Sequence, residues 1–218
     1  MNSFPRLVFR MCALLLLVAG SAPAEPQLTH EQALQDLDQP YSEARRRAVA
    51  RLGEVGVMSD TPALLKRLRD SDEFTRKLAE NVLWQVWSRS GDEKIDALLQ
   101  QGLEQMHEGP VRLALATFNI IIELRPDFAE GWNKRATLYF IMGEYEKSLR
   151  DCDEVMKGNP YHFGALAGYG QIYLRLERPE LALEYLRRAL DLNPNLHGVE
   201  LTIKKLEREI SAKRKRTI

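Results

Sequence analysis

Residues 129–162 read AEGWNKRATLYFIMGEYEKSLRDCDEVMKGNPYH, and this stretch decides the fold. It divides at Gly143 into two segments of helical length. Ala136 in the first and Ser148 in the second are small enough to let two helix backbones come close. Ser148, Cys152 and Val155 fall at i, i+4 and i+7 and form one stripe of a helix. Pro160 ends the stretch, because proline has no amide hydrogen and pushes the preceding residue out of the α region. The pattern predicts an antiparallel helical hairpin with Gly143 as the cap between its helices.

The same pattern recurs on both sides. Pro126, Pro160 and Pro194 are 34 residues apart and divide the chain into units 95–128, 129–162 and 163–196. The eighth place of each holds Gly102, Ala136 and Gly170, and the twentieth holds Ala114, Ser148 and Ala182. Phe118, Cys152 and Leu186, then Ile121, Val155 and Ala189, continue the second stripe. Gly109 and Gly143 stand where the first helix must turn, and Glu177 takes that place in the third unit, with Pro179 opening the next helix. These residues resemble the tetratricopeptide repeat family, most strongly at Trp132, Ala136, Tyr139, Gly143, Tyr145, Ser148 and Pro160. The first unit departs furthest, with Gln101, Gln105 and Pro110. The resemblance implies an all-α solenoid of stacked helical hairpins.

Upstream the period changes to 31. Leu34 and Leu37 recur as Leu65 and Leu68, Arg45 as Arg76, Ala48 as Ala79, and Leu52 as Leu83. Units 34–64 and 65–95 each read as a helix ending near Asp38 or Asp70, a polar turn and a second helix. They look like degenerate HEAT-like pairs, so region 25–94 is expected to be helical and to abut the first 34-residue unit. Trp84 and Trp87, three apart on one helix, read as packing at that junction. Residues 197–218 break the period and suit a capping helix, with Val199, Leu201, Ile203, Leu206 and Ile210 as its apolar side and Lys213–Arg216 as a basic tail.

The first 24 residues read as an export signal. Arg6 and Arg10 precede the apolar run Met11–Ala19, and Ala22-Pro23-Ala24 supplies an A-x-A cleavage site before Glu25. Nine apolar residues fall short of the ~20 that span a bilayer. The expectation is a periplasmic or secreted protein of a Gram-negative bacterium, with no stable membrane insertion once the signal is removed. The chain of 218 residues balances 31 Lys+Arg against 31 Asp+Glu, which argues against nucleic acid as a partner. Its two cysteines cannot build a disulfide scaffold, and removal of residues 1–24 takes Cys12 and leaves Cys152 alone. Cys152 lies in the apolar stripe and reads as a buried small hydrophobe, with an intermolecular disulfide as the alternative.

Sites of chemistry are not legible. His30, His107, His162 and His197 belong to no metal-binding pattern, so neither metal nor cofactor is expected. Gly164, Gly168 and Gly170 follow no strand and make no phosphate loop, and no G-x-S-x-G is present. The chain therefore reads as a non-enzymatic module, with an active site assembled from scattered residues as the remaining enzymatic alternative. In the resembled family the first helix of each pair lines a concave groove that holds a protein or peptide partner. Carried onto this sequence, the groove-facing places are Leu99, Leu103 and Met106, then Glu130, Asn133, Thr137, Phe140 and Ile141, then Ala167, Gln171, Leu174 and Arg175. Asn133, Gln171 and Arg175 are the expected donors. Members that grip chaperone C-termini use a basic and amide constellation, which only Asn133 matches, so that activity is not implied. The function implied is an exported scaffold or adaptor, in envelope assembly, secretion or the service of cell-wall enzymes. Self-association of the repeat array is the rival reading.

Overall fold

The computed structural model describes residues 27–216; the expected export signal and Cys12 lie outside the described residues. The described residues hold eleven α-helices and a 3-10 turn. They are α1 (His30–Asp36), α2 (Ser42–Val55), α3 (Thr61–Arg67), α4 (Glu73–Trp87), α5 (Glu93–Glu108), α6 (Val111–Leu124), α7 (Ala129–Ile141), α8 (Tyr145–Gly158), α9 (Phe163–Arg175), α10 (Pro179–Leu192) and α11 (His197–Arg216). Helices α5 to α10 form three antiparallel hairpins, one in each 34-residue unit, and α11 closes the stack.

The small residues at the eighth place are the points of closest approach. A Cβ added to Gly102 would stand 2.6 Å from the Phe118 ring, and one added to Gly170 would stand 2.5 Å from Leu186 Cγ. In the middle hairpin Ala136 is buried, and Ser148 Oγ donates to the Ala136 carbonyl at 2.7 Å. That bond satisfies a buried hydroxyl inside an apolar stripe, which otherwise costs about 1–3 kcal/mol.

The turns inside the hairpins separate the units. Gly143 takes φ +78°, and the Glu144 amide donates back to the Tyr139 carbonyl at 2.8 Å, which closes a left-handed C-cap. Glu177 occupies the same place with φ +55°, and the Arg178 amide donates to the Tyr173 carbonyl at 2.8 Å. The geometry of the turn is thus kept by hydrogen bonding even where the side chain opposes it. Gly109 differs: its φ of −111° is ordinary backbone, α5 runs on to Glu108, and Pro110 then caps α6. The first hairpin turns by a different route, at the unit whose residues depart most from the pattern.

The 31-residue period corresponds to two further hairpins, α1/α2 and α3/α4, although units 34–64 and 65–95 begin inside helices. Arg45 Nη1 donates to the Gln39 and Pro40 carbonyls at 2.9 Å each, bracing the α1–α2 turn. Arg76, one period on, donates to the Asp70 and Ser71 carbonyls at 2.9 and 3.3 Å. Arg45 also grips the buried Asp70 carboxylate, with bonds of 2.8 and 2.6 Å, and so ties the first hairpin to the second.

These N-terminal hairpins do not extend the solenoid, as abutting units would. Little contact joins α4 to α5; instead the N-terminal core of Leu52, Leu64, Leu68, Leu83, Val86 and Trp87 is completed by Phe163, the first residue of α9. Arg69 donates to the Asp191 and Leu192 carbonyls, and Asn195 Nδ2 donates to the Leu68 carbonyl at 2.8 Å. The first half thus docks on the loops that join α8 to α9 and α10 to α11. Trp84 and Trp87 do pack, but where the second unit meets the third, on His162 and Phe163, and not at the junction with the first. At the other end Ile203 and Leu206 of α11 cover Ala182 and Leu186. Leu201, expected on that apolar side, is 67% exposed, because the packed row runs 199, 203, 206, 210.

A left-handed glutamate costs about 1 kcal/mol relative to glycine. Glu177→Gly is therefore expected to raise the melting temperature by about 3 °C in calorimetry, while Gly143→Ala lowers it by a similar amount.

Candidate functional site

Helices α7 and α9 run side by side as the first helices of the second and third hairpins, with α8 behind them. Between them lies a cavity of about 170 Å³, lined by Asn133, Ala136, Thr137 and Phe140 of α7 and by Gly164, Ala165, Gly168, Gln171 and Ile172 of α9. Ser148 and Cys152 of α8 form its floor. The space exists because α9 carries glycine where a side chain would fill it. A Cβ on Gly168 would meet only Cys152 Sγ, at 3.8 Å. On the neighbouring surface the Arg175 guanidinium stands 5.8 Å from the centre of the Phe140 ring, a cation–π distance.

One end of the cavity abuts a buried ionic cluster. Glu130 is fully buried and receives hydrogen bonds from Asn133 Nδ2 at 3.0 and 3.3 Å, with Lys134 Nζ at 3.1 Å. His162 Nε2 lies 2.9 Å from the same carboxylate. His162 Nδ1 accepts the Ala165 amide at 2.9 Å and so caps α9, which places the ring proton on Nε2, facing Glu130. Burial opposes the charge on Glu130, but the His162 hydrogen bond, Lys134 and the Asn133 amide overcome it and hold the carboxyl well below its usual range.

Aromatic rings from the N-terminal hairpins close over this cluster. Trp87 stacks on His162 with centroids 4.8 Å apart, and Trp84 meets it edge-on at 5.2 Å. Lys134 Nζ lies 5.7 Å from the Trp84 ring, and Trp84 also presses on Gly164 at the cavity wall. The docked N-terminal half therefore walls one end of the α7–α9 groove.

Of the expected groove residues, the structure brings Asn133, Thr137, Phe140 and Gln171 to the cavity and Arg175 beside it. It corrects two others. Leu99 is 4% exposed and packs in the core of the first hairpin, and Glu130 is wholly enclosed by its charge partners, so neither faces a ligand. Leu103 and Met106 lean on that same core, and Leu174 leans on the α10–α11 core. Ala167 is half-buried outside the cavity lining, and Ile141 is exposed near the end of α7. Asn133 was expected to donate to a ligand; its amide nitrogen is turned to Glu130, which leaves its carbonyl oxygen as the acceptor it offers. The lining residues that the sequence did not mark are Gly164, Ala165, Gly168 and Ile172. Their signal was present as the glycines spaced through one apolar helix.

Cys152 is buried, and desolvation, helped by the nearby Asp151 and Asp153 charges, pushes its thiol up to about 12, so the floor of the cavity holds no nucleophile at neutral pH. Among the described residues no cluster of three or more metal-ligating side chains occurs, and no helix is long and apolar enough to cross a membrane.

Residues 127–195 match the model of the tetratricopeptide repeat family. This part of the chain belongs to the tetratricopeptide repeat family. A TPR repeat-containing protein of Rhizobium etli is 38% identical over 130 residues, which cover 60% of this chain and 63% of that one. The small glutamine-rich tetratricopeptide repeat-containing protein of Dictyostelium discoideum is 30% identical over 57% of this chain, but only 38% of its own length is matched. The chain thus spans less than two thirds of either relative. Among solved structures, the Sgt2 TPR domain of Aspergillus fumigatus aligns with a TM-score of 0.53 at 17% identity, over 57% of this chain and 83% of that one. The first TPR of Spaghetti (RPAP3), bound to an HSP90 peptide, aligns with a TM-score of 0.52 at 20% identity, over 55% and 94%. At these identities the likeness is one of fold, the stacked helical hairpin.

The Glu130 carboxyl is depressed in the folded protein, so its stabilising charge is fully present above the unfolded value near 4.3 and is lost as pH falls below that. Glu130→Gln is expected to lower unfolding free energy by about 3 kcal/mol at pH 7. Urea titrations should show the gap between the two proteins narrowing from pH 5 down towards pH 3, whereas a gap unchanged with pH would assign the loss to packing alone.

Proposed function

We propose that the chain is a non-enzymatic adaptor that holds an extended segment of a protein partner in the groove between α7 and α9. The observation that carries this reading is the cavity made by Gly168 between Phe140 and Gln171, which has room for one aliphatic side chain of a bound segment. Gln171 and Arg175 stand exposed beside it, suited to a peptide backbone and an acidic group. The first TPR of Spaghetti (RPAP3), similar in fold, is bound to an HSP90 peptide, which supports a peptide segment as the occupant. The chaperone C-terminus itself is not the ligand proposed, because the Asn133 amide is committed to Glu130 and Leu99, Leu103 and Ala167 stand where the resembled members carry Lys, Asn or Arg.

The test is a photo-crosslinking amino acid placed at Gln171 in cells, with and without Gly168→Leu. The leucine Cβ would meet only Cys152 Sγ, at 3.8 Å, and the rest of its side chain competes for the cavity. Specific adducts at Gln171 that vanish in the Gly168→Leu protein are expected. Adducts unchanged by the filled cavity would remove the groove from the function.

The same proposal places the adaptor outside the cytoplasm of a Gram-negative bacterium, periplasmic or secreted, serving envelope assembly or secretion. Its support is the basic, apolar and A-x-A order of residues 1–24. Amino-terminal sequencing of the protein from a periplasmic extract is expected to begin at Glu25. A chain that keeps residues 1–24 and remains in the cytoplasm would refute export.

A further inference from the structure

The outward face of α6 breaks a pattern that its counterparts keep. Leu113, Ala116 and Ile120 stand where α8, 34 residues on, carries Lys147, Arg150 and Glu154. In α10 the same places hold Leu181, Glu184 and Arg188. Two of the three apolar positions are thus charged in both later hairpins, which pack in the same way, so hairpin formation does not ask for apolar side chains there. The inner face of α6 is already spent on Ala114, Phe118, Ile121 and Ile122, all buried. Yet Leu113, Ile120 and Leu124 are 53%, 45% and 47% exposed. Their spacing of seven and then four residues sets them on one side of the helix. No part of the N-terminal half covers them, since it docks at α9 and the α10–α11 loop.

The charges along this face are also placed against their own helix. Arg112 lies in the first turn of α6, at the positive end of the helix dipole, and Glu123 lies in the last turn, at the negative end. In α8 the order is the favourable one, with Glu146 first and Lys157 last. Both α6 residues are exposed, and neither makes an ion pair among the described residues. They are eleven residues apart, about three turns, so they share one side of the helix and flank the apolar row.

A second α6 laid antiparallel across a two-fold axis resolves all of this at once. Ile120 of each copy meets the small Ala116 of the other, and Leu113 and Leu124 close the ends. Arg112 then comes to the acidic, negative end of the other helix beside Glu123 of the second copy, and the same pair forms again across the axis. We propose that this face of α6 is a homodimer interface, built by antiparallel pairing of α6 with α6 of a second copy. It lies on the second helix of the first hairpin, away from the α7–α9 cavity, and does not depend on what that cavity holds.

Sedimentation velocity of the protein over a concentration series tests the proposal. A dimer in equilibrium with monomer is expected for the natural chain. Leu113→Lys combined with Ile120→Glu copies the α8 residues onto α6 and should leave only monomer, with helical circular dichroism unchanged. Arg112→Glu alone should weaken the dimer by setting two carboxylates together, and Arg112→Glu with Glu123→Arg should restore it, because the reversed pair is again complementary. A natural chain that stays monomeric at every concentration overturns the proposal. So does a dimer that survives the α8-like variant, or one that ignores both charge variants, since either would place the contact elsewhere or in a parallel arrangement.

Discussion

A fully buried carboxylate must find its hydrogen-bond and charge partners inside the protein, and Glu130 imposes that requirement on the second and third repeats. Its hydrogen bonds from Asn133 and His162 and its contact with Lys134 join the start of α7 to the start of α9. His162 meets the need only because its other nitrogen is engaged by the first turn of α9, and its ring is held flat by Trp87. Replacing one member of such a set leaves the others buried and unpaired, a larger loss than the net gain from forming it. The link between the second and third repeats passes through this one group, and the rings of Trp84 and Trp87 close over it.

The part of the architecture that depends on contacts close in sequence was legible. Gly102, Ala136 and Gly170 announced the tight helix pairs because even a Cβ overlaps a neighbour at the two glycines and the Ala136 methyl is already buried. The turn at Glu177 was readable by register alone, since the hairpin forces the same backbone whatever residue stands there. Arg45 and Arg76 likewise repeat because each braces a turn five and six residues before it. The site was less legible. Placing Leu99 and Glu130 in the groove treated every unit as equivalent, but the first unit begins with a longer helix, and Glu130 is claimed by a histidine 32 residues away. No periodicity carries that information, because the docking of Trp84 on Gly164 occurs once.

The two surfaces of the repeat region obey different constraints. On the first helices, glycine and small residues leave room between α7 and α9, and room of that shape persists only because packed neighbours prevent collapse. On the second helices, charged residues at most outward positions keep the surface wet, and α6 is the exception. A repeat array can vary such outward positions freely, because each hairpin is secured by its inner stripe. Function can therefore be written on either surface without rewriting the core.

Phe163 completes a core whose other buried members lie between Ala33 and Trp87, with Leu192 and Leu196 packed against its edge. A ribosome makes the chain in order, so the first four helices emerge with a hole where that ring belongs. They must wait for some seventy-five further residues before the hole is filled. Until then their leucines stay partly uncovered, a state in which a chain remains threadable or open to a holding chaperone. The two halves, though each is built of short-range hairpins, reach their final form together.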